Sequence, residues 1–188
     1  MTKAILLVNL GTPDSPSVPD VKTYLGEFLM DEYVIDLPYL LRLLLVKGIV
    51  LKTRPPKTAE AYETIWTDAG SPLLANTLAL QDKLQTEDHP VGVAMRYGNP
   101  SIKAGIDALH DRHPDISQLI ILPLYPQYAM ATTKTVQVAT QSVLDQYYPT
   151  LSVKWIDPFY NQPSYIAALA DSIQSYLTPS VEHVLFSY

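Results

Sequence analysis

The chain has 188 residues, which suits one domain with a sizeable core. At 47% hydrophobic and 17% charged it is too apolar for a disordered chain. Lacking cysteine, it excludes disulfides, thiolate zinc sites, cysteine nucleophiles and a cysteine-held iron–sulfur cluster within these residues. A net charge of −6 argues against general nucleic-acid binding.

The opening segment MTKAILLVN has neither the long apolar run nor the cleavage site of a signal peptide, and no run reaches the ~18 apolar residues of a membrane-spanning helix. Lys3–Asn9 reads as a buried strand. Ser17 or Asp20 caps a helix running to about Met30, and Pro38–Leu51 is a second, very apolar helix. Helices over Thr58–Thr67 and Pro72–Glu87 follow. Strands are then expected at Val91–Tyr97, Gln118–Leu124 and Ser152–Asp157, with helices at Pro100–His113, Thr132–Tyr147 and Pro163–Leu177. Val181–Tyr188 reads as a fifth strand.

Strand–helix–strand alternation predicts an α/β fold, a doubly wound parallel sheet flanked by helices and joined by right-handed crossovers. Ligands of such sheets sit beyond the carboxyl ends of the strands, here Asn9–Pro13, Arg96–Pro100, Pro123–Tyr128 and Asp157–Tyr160. About 80 residues separate the first two strands, where roughly 10–15 suffice for one helix. A helical insertion of that size at the ligand end of a sheet forms a lid or pocket wall. The strand openings AILLVNLGTP and HVLFSY echo each other, so the chain is expected to comprise one α/β domain over residues 1–180 and the first strand of a truncated second domain over 181–188.

The chemistry-bearing residues gather at those strand ends. Asn9-Leu10-Gly11-Thr12-Pro13 is either a tight strand exit or a pocket floor. It carries one glycine, and neither GxGxxG nor a P-loop occurs anywhere, which speaks against a phosphate- or nucleotide-binding protein. His110 and His113 share a helix face, but their polar neighbours mark an exposed helix end before a metal site. Pro38–Thr58 holds five basic residues and no acid. Its apolar run is either a core helix whose cations snorkel outward or a lip for a membrane surface or apolar ligand. Pro55 and Pro56 are expected to hold an extended backbone that turns Arg54 and Lys57 toward a shared anion, with Tyr62 and Trp66 following. Gly70-Ser71-Pro72 is a turn into a helix, Arg96-Tyr97 ends a strand, and LPLYPQY places Tyr125 and Tyr128 at another strand end. Arginines, a lysine and tyrosines around one apolar mouth suit a large, flat, partly apolar ligand with carboxylates at its rim.

The ordered series LLVNLGTP, YLGEFLMD, RPPKTAEAYETIW, GSPLL, RYGNPS, LPLYPQY and FSY resembles the amino-terminal half of ferrochelatases of the protohaem-forming type, over nearly the whole chain. The resemblance implies two similar α/β halves around a porphyrin cleft, with ferrous iron and protoporphyrin IX as substrates and no bound cofactor. It implies that Leu10 lies at the metal side of the porphyrin. Arg54, Lys57, Tyr62 and Ser71 then lie at its edge, Arg96 and Tyr97 form an arginine–tyrosine pair in the cleft, and Tyr125 lies near the metal route. The stretch from about Phe28 to Leu51 becomes the lip over the cleft, which decides the two readings of that helix in favour of a lip. The family's catalytic histidine and glutamate are expected beyond Tyr188, so the chain alone is expected to be inactive, a cytoplasmic protein with peripheral contact at the inner membrane and a carboxy-terminal half as partner. A standalone, non-catalytic porphyrin-binding module is the alternative. One departure stands out: where the family commonly has Ser-x-Ser-Thr-Thr, this chain has Ala129-Met130-Ala131-Thr132-Thr133.

Overall fold

The computed structural model describes residues 2–185. Four strands, β1 (Thr2–Thr12), β2 (Val91–Gly98), β3 (Ile116–Pro123) and β4 (Ser152–Trp155), form one parallel sheet in the order β2-β1-β3-β4. Central β1 pairs on both sides, Leu7 lying opposite Val93 on one and Leu122 on the other. The chain moves to one side of β1 for β2 and to the other for β3 and β4. Right-handed crossovers must then lie on opposite faces, and a crevice opens between the carboxyl ends of β1 and β3.

Side-chain alternation along the strands divides the core accordingly. Ala4, Leu6, Val8 and Ala94 face α6 (Ile102–Arg112) and α7 (Thr135–Tyr147), packing on Ile106, Leu109, Val136 and Leu144. Leu7, Val93 and Met95 face α5 (Pro72–Leu84) through Leu73, Leu74 and Leu80. A third cluster builds the lip's base. It joins Val21, Tyr24, Leu25 and Leu29 of α1 (Val18–Leu29) to Val46, to Ala59 of α4 (Pro55–Ile65), and to Tyr97. The expected Ser17 cap operates, accepting from the Asp20 backbone N–H at 3.3 Å, and Ser101 caps α6 in the same way, accepting from that of Ala104 at 3.2 Å.

Several sequence expectations are corrected. The lip helix is not uniformly α: α2 (Tyr39–Leu43) runs into a π-helical stretch at Leu44–Val50 and then α3 (Leu51–Thr53). A second π-helical stretch, Met130–Lys134, precedes α7 at the departure from the family pattern. Pro55 and Pro56 are not extended. They occupy the first turn of α4, where the missing proline N–H has no partner to lose, and Arg54 before them is itself right-handed helical (φ −83°, ψ −34°). No strand forms over residues 181–185, where Leu185 is almost fully exposed; the rest of that expected strand, 186–188, lies outside the described residues. Beyond β4, α8 (Pro163–Gln174) carries no buried residue.

Candidate functional site

The switch-point crevice is floored by the end of β1. Asn9 pins that end to α5: its amide donates to Thr77 Oγ1 at 3.0 Å, while its carbonyl oxygen accepts the Leu10 backbone N–H at 2.8 Å. Leu10 is half-buried beside α1 and joins the third cluster with Phe28 and Tyr62. Aromatic rings continue the wall. Tyr24 meets Tyr62 edge-on at 6.3 Å, Tyr62 meets Trp66 at 6.2 Å, and Phe28 meets Tyr97 at 5.2 Å.

Burial pushes the phenols of Tyr24, Tyr62, Tyr97 and Tyr125 upward, and for Tyr24 the adjacent Tyr62 adds to the effect. All four stay protonated at neutral pH. They offer aromatic surface and O–H donors, and none can serve as a base. The Tyr125 hydroxyl is buried with no hydrogen-bond partner among the described residues.

Beneath the wall lies a polar network that the sequence reading did not find. Asp31, just past the end of α1, has a side chain only 5% exposed. Its Oδ2 accepts from Arg96 Nη2 at 2.5 Å, Tyr97 Oη at 2.7 Å and Thr135 Oγ1 at 2.5 Å, and its Oδ1 accepts the Tyr33 backbone N–H at 2.8 Å. Arg96 Nε donates to Thr135 at 2.7 Å, and the guanidinium lies 4.4 Å from the Tyr97 ring centroid. Burial alone would raise the Asp31 carboxyl. The hydrogen bonds from Thr135, Tyr33 and Tyr97 and the Arg96 charge outweigh it and hold the group below its ordinary value. The one available signal was the need of a strand-end arginine for a counter-charge, with Asp31 closing the YLGEFLMD motif.

The expected site residues therefore fall into three groups. Leu10, Tyr62 and Tyr97 share one cluster, with Arg96 stacked on Tyr97 and Tyr125 packed on the adjoining first cluster. Tyr97 is 1% exposed, and Arg96 and Tyr97 are both committed to Asp31. Arg54 and Lys57 form a second group at the start of α4, both exposed and neither ion-paired among the described residues. Ser71 is separate: it is buried at the N-terminus of α5 and lines a cavity of about 460 Å³ with Thr12, Trp66, Asn99 and Pro100.

The lip turns leucines outward and an arginine inward. Leu40 and Leu44 are 68% and 67% exposed, with Tyr39, Leu41 and Ile49 also exposed. Arg42 is buried, donating through Nη1 to the carbonyls of Ile35 at 3.2 Å and Leu37 at 3.1 Å. For Arg42 this is the reverse of snorkelling. Lys47 and Lys52 remain exposed. Among the described residues no group of three or more His, Asp or Glu is placed to hold a metal, and no helix is long and apolar enough to cross a membrane.

The topology defines an α/β protein with a switch point between β1 and β3, and a long helical insertion packs beside the end of β2. The family model of ferrochelatase matches residues 2–188. A ferrochelatase of Azotobacter vinelandii is 46% identical over 187 residues, covering 98% of this chain and 54% of that protein. A ferrochelatase of Ectopseudomonas mendocina matches with the same identity and coverage, and ferrochelatase 2 of Shewanella oneidensis is 45% identical over 176 residues, 90% of this chain and 53% of that protein. The chain belongs to the ferrochelatase family, and it spans about half the length of these curated relatives.

Proposed function

We propose that this chain is the porphyrin-facing half of a ferrochelatase, which inserts ferrous iron into protoporphyrin IX to form protohaem. The observation that carries the reading is a cluster of largely buried phenols and Leu10 at the carboxyl ends of β1 and β2, with unpaired cations, Arg54 and Lys57, on the helix packed beside it, in a chain of this family. Arg54, Lys57 and Ser71 hold propionates at the rim. Leu10 lies on the metal side of the macrocycle, Tyr62 at its edge and Tyr125 near the metal route. Iron entry requires loss of two pyrrole protons and bending of the ring, and anchored propionates let remote binding energy supply that bend. The wall's phenols, being neutral, accept no proton, and the family resemblance assigns that role to a histidine and a glutamate of a carboxy-terminal half.

The lip adds a second contact. Outward leucines flanked by exposed Lys47, Lys52, Arg54 and Lys57 suit the interface of an anionic bilayer, making the protein cytoplasmic and peripheral at the inner membrane.

The test uses the 188-residue chain under anaerobic conditions. Protoporphyrin IX is expected to bind with quenching of its fluorescence, and ferrous iron is expected to give no turnover above the uncatalysed rate. Failure to bind overturns the porphyrin assignment, and turnover overturns the division of labour between the halves.

A further inference from the structure

We propose that Asp31 is a positioning residue: its single carboxylate ties the root of the lip to the end of β2 and the start of α7, and so sets the pose of the lip over the crevice. Asp31 is the last residue before the lip turns away from α1. Its backbone carbonyl accepts from the N–H groups of Val34 and Ile35 at 3.2 and 3.0 Å, and its Oδ1 takes that of Tyr33, so the first turn of the lip is built on this residue. Its other oxygen collects three donors from two other segments, Arg96 and Tyr97 at the sheet end and Thr135 at the head of α7.

The Asp31 carboxylate, the Thr135 hydroxyl and the Tyr97 hydroxyl all find partners inside the network. Thr135 Oγ1 accepts from Arg96 and donates to Asp31, so the hydroxyl is used in both directions. Arg96 has its charge balanced by Asp31 and two of its donors spent on the network, and Tyr97 has its hydroxyl committed. Such a closed, buried network is worth more for geometry than for net stability. A well-packed apolar replacement of an ion pair can be as stable, whereas removing one partner leaves the other charge uncompensated. The link from Asp31 to the macrocycle rests on the porphyrin reading, but the link from Asp31 to the lip does not.

The experiment is amide hydrogen exchange on the whole chain, wild type against Asp31→Asn, Thr135→Val and the double variant Asp31→Asn/Arg96→Met, each followed by protoporphyrin titration. Asp31→Asn should speed exchange of the lip amides, residues 32–54, by roughly tenfold while β1 and β3 amides stay within about twofold, the pattern of local opening. Thr135→Val keeps both charges and removes one donor to Asp31 and one acceptor for Arg96, so it should give a smaller change at the same amides. The double variant removes the stranded charge. It should recover the wild-type urea midpoint and still exchange fast in the lip, an outcome that a purely stabilising role for Asp31 does not produce. Lip amides at wild-type rates in the folded variants, or lip and sheet accelerating together in the double variant, would overturn the proposal. In the titration, Asp31→Asn should weaken protoporphyrin binding by about tenfold, as expected when binding has to order a loosened segment. A loosened lip with unchanged affinity would refute the part of the proposal that concerns the macrocycle. A wild-type chain that does not bind protoporphyrin would refute the porphyrin reading and leave the exchange result to stand or fall by itself.

Discussion

Replacing Gly11 by alanine should damage the floor of the crevice more than any change of one methyl group elsewhere on β1. Gly11 has φ +114° and sits opposite Tyr97 in the β1–β2 ladder. A Cβ there would lie 1.8 Å from the Tyr97 carbonyl oxygen and 2.8 Å from its carbonyl carbon, and these are backbone atoms that no rotamer change can move. The left-handed backbone costs about 1–3 kcal/mol for a residue with a side chain. Separating the strands forfeits one or two ladder hydrogen bonds at about 0.5–1.5 kcal/mol each. The sum is roughly 1.5–6 kcal/mol, a large part of the 5–15 kcal/mol that folds a typical domain. Urea unfolding followed by tryptophan fluorescence measures it, with the slope checked for constancy. Gly48→Ala is the control: it lies in the lip helix with nothing within 4 Å of the new Cβ, and it should be neutral or stabilise by up to ~1 kcal/mol. A Gly11→Ala loss below about 1 kcal/mol would refute the close-approach account, being within the range of an ordinary substitution.

Arg54→Ala should leave the stability of the free chain within about 0.5 kcal/mol, because the side chain is exposed and unpaired. It should weaken protoporphyrin binding by roughly 1.5–3 kcal/mol, read by fluorescence titration; an equal loss for the propionate diester would show that Arg54 pairs with no carboxylate. Leu40→Ser/Leu44→Ser should reduce binding to anionic vesicles in a sedimentation assay, and binding of the wild type should fall as salt rises; unchanged vesicle binding would remove the lip from the interface. The Asp31 carboxyl is lowered from 3.8, so its contribution to stability is present above that value and is lost as pH falls through the lower folded value. The urea midpoints of wild type and Asp31→Asn should therefore differ by a constant amount above about pH 5 and converge below about pH 4; a gap that widened on acidification would contradict the direction of the shift.

The strands were legible because parallel strands covered on both faces read as short Ile, Leu and Val runs, and KAILLVN and QLIILPL are such runs. Helix starts were legible from Ser17 and from the prolines at helix starts. Pro55 and Pro56 misled because the same pair suits polyproline II and a helix first turn, and only the packing of Ala59 on α1 chooses between them. The π-helical stretches have no compositional mark, since they change the hydrogen-bond step and not the residue types. Tyr97 and Arg96 were singled out at their strand end, but what they touch was not legible. Their shared partner Asp31 is 65 and 66 positions away in sequence, and a lone aspartate after a helix carries no periodic signal.

The central place of β1 has a consequence for biosynthesis. Ile5 lies opposite Val91 on one side and Ile120 on the other, so the central strand of the sheet emerges from the ribosome long before either neighbour exists. At ~5–20 residues per second, the second neighbour arrives roughly 6–23 s after the first strand. During that interval a ribbon of unpaired N–H and C=O groups on an Ile-Leu-Leu-Val sequence is exposed, the feature that templates wrong pairing between chains. The helices of the long first crossover are made during the same interval, and α5 is among them; in the finished fold its Leu73 and Leu74 pack beside Leu7. The crossover whose α5 packs on the sheet in the native state is thus also the first cover available to the strand beneath it, and yield of soluble chain should depend on how fast translation passes through residues 13–90.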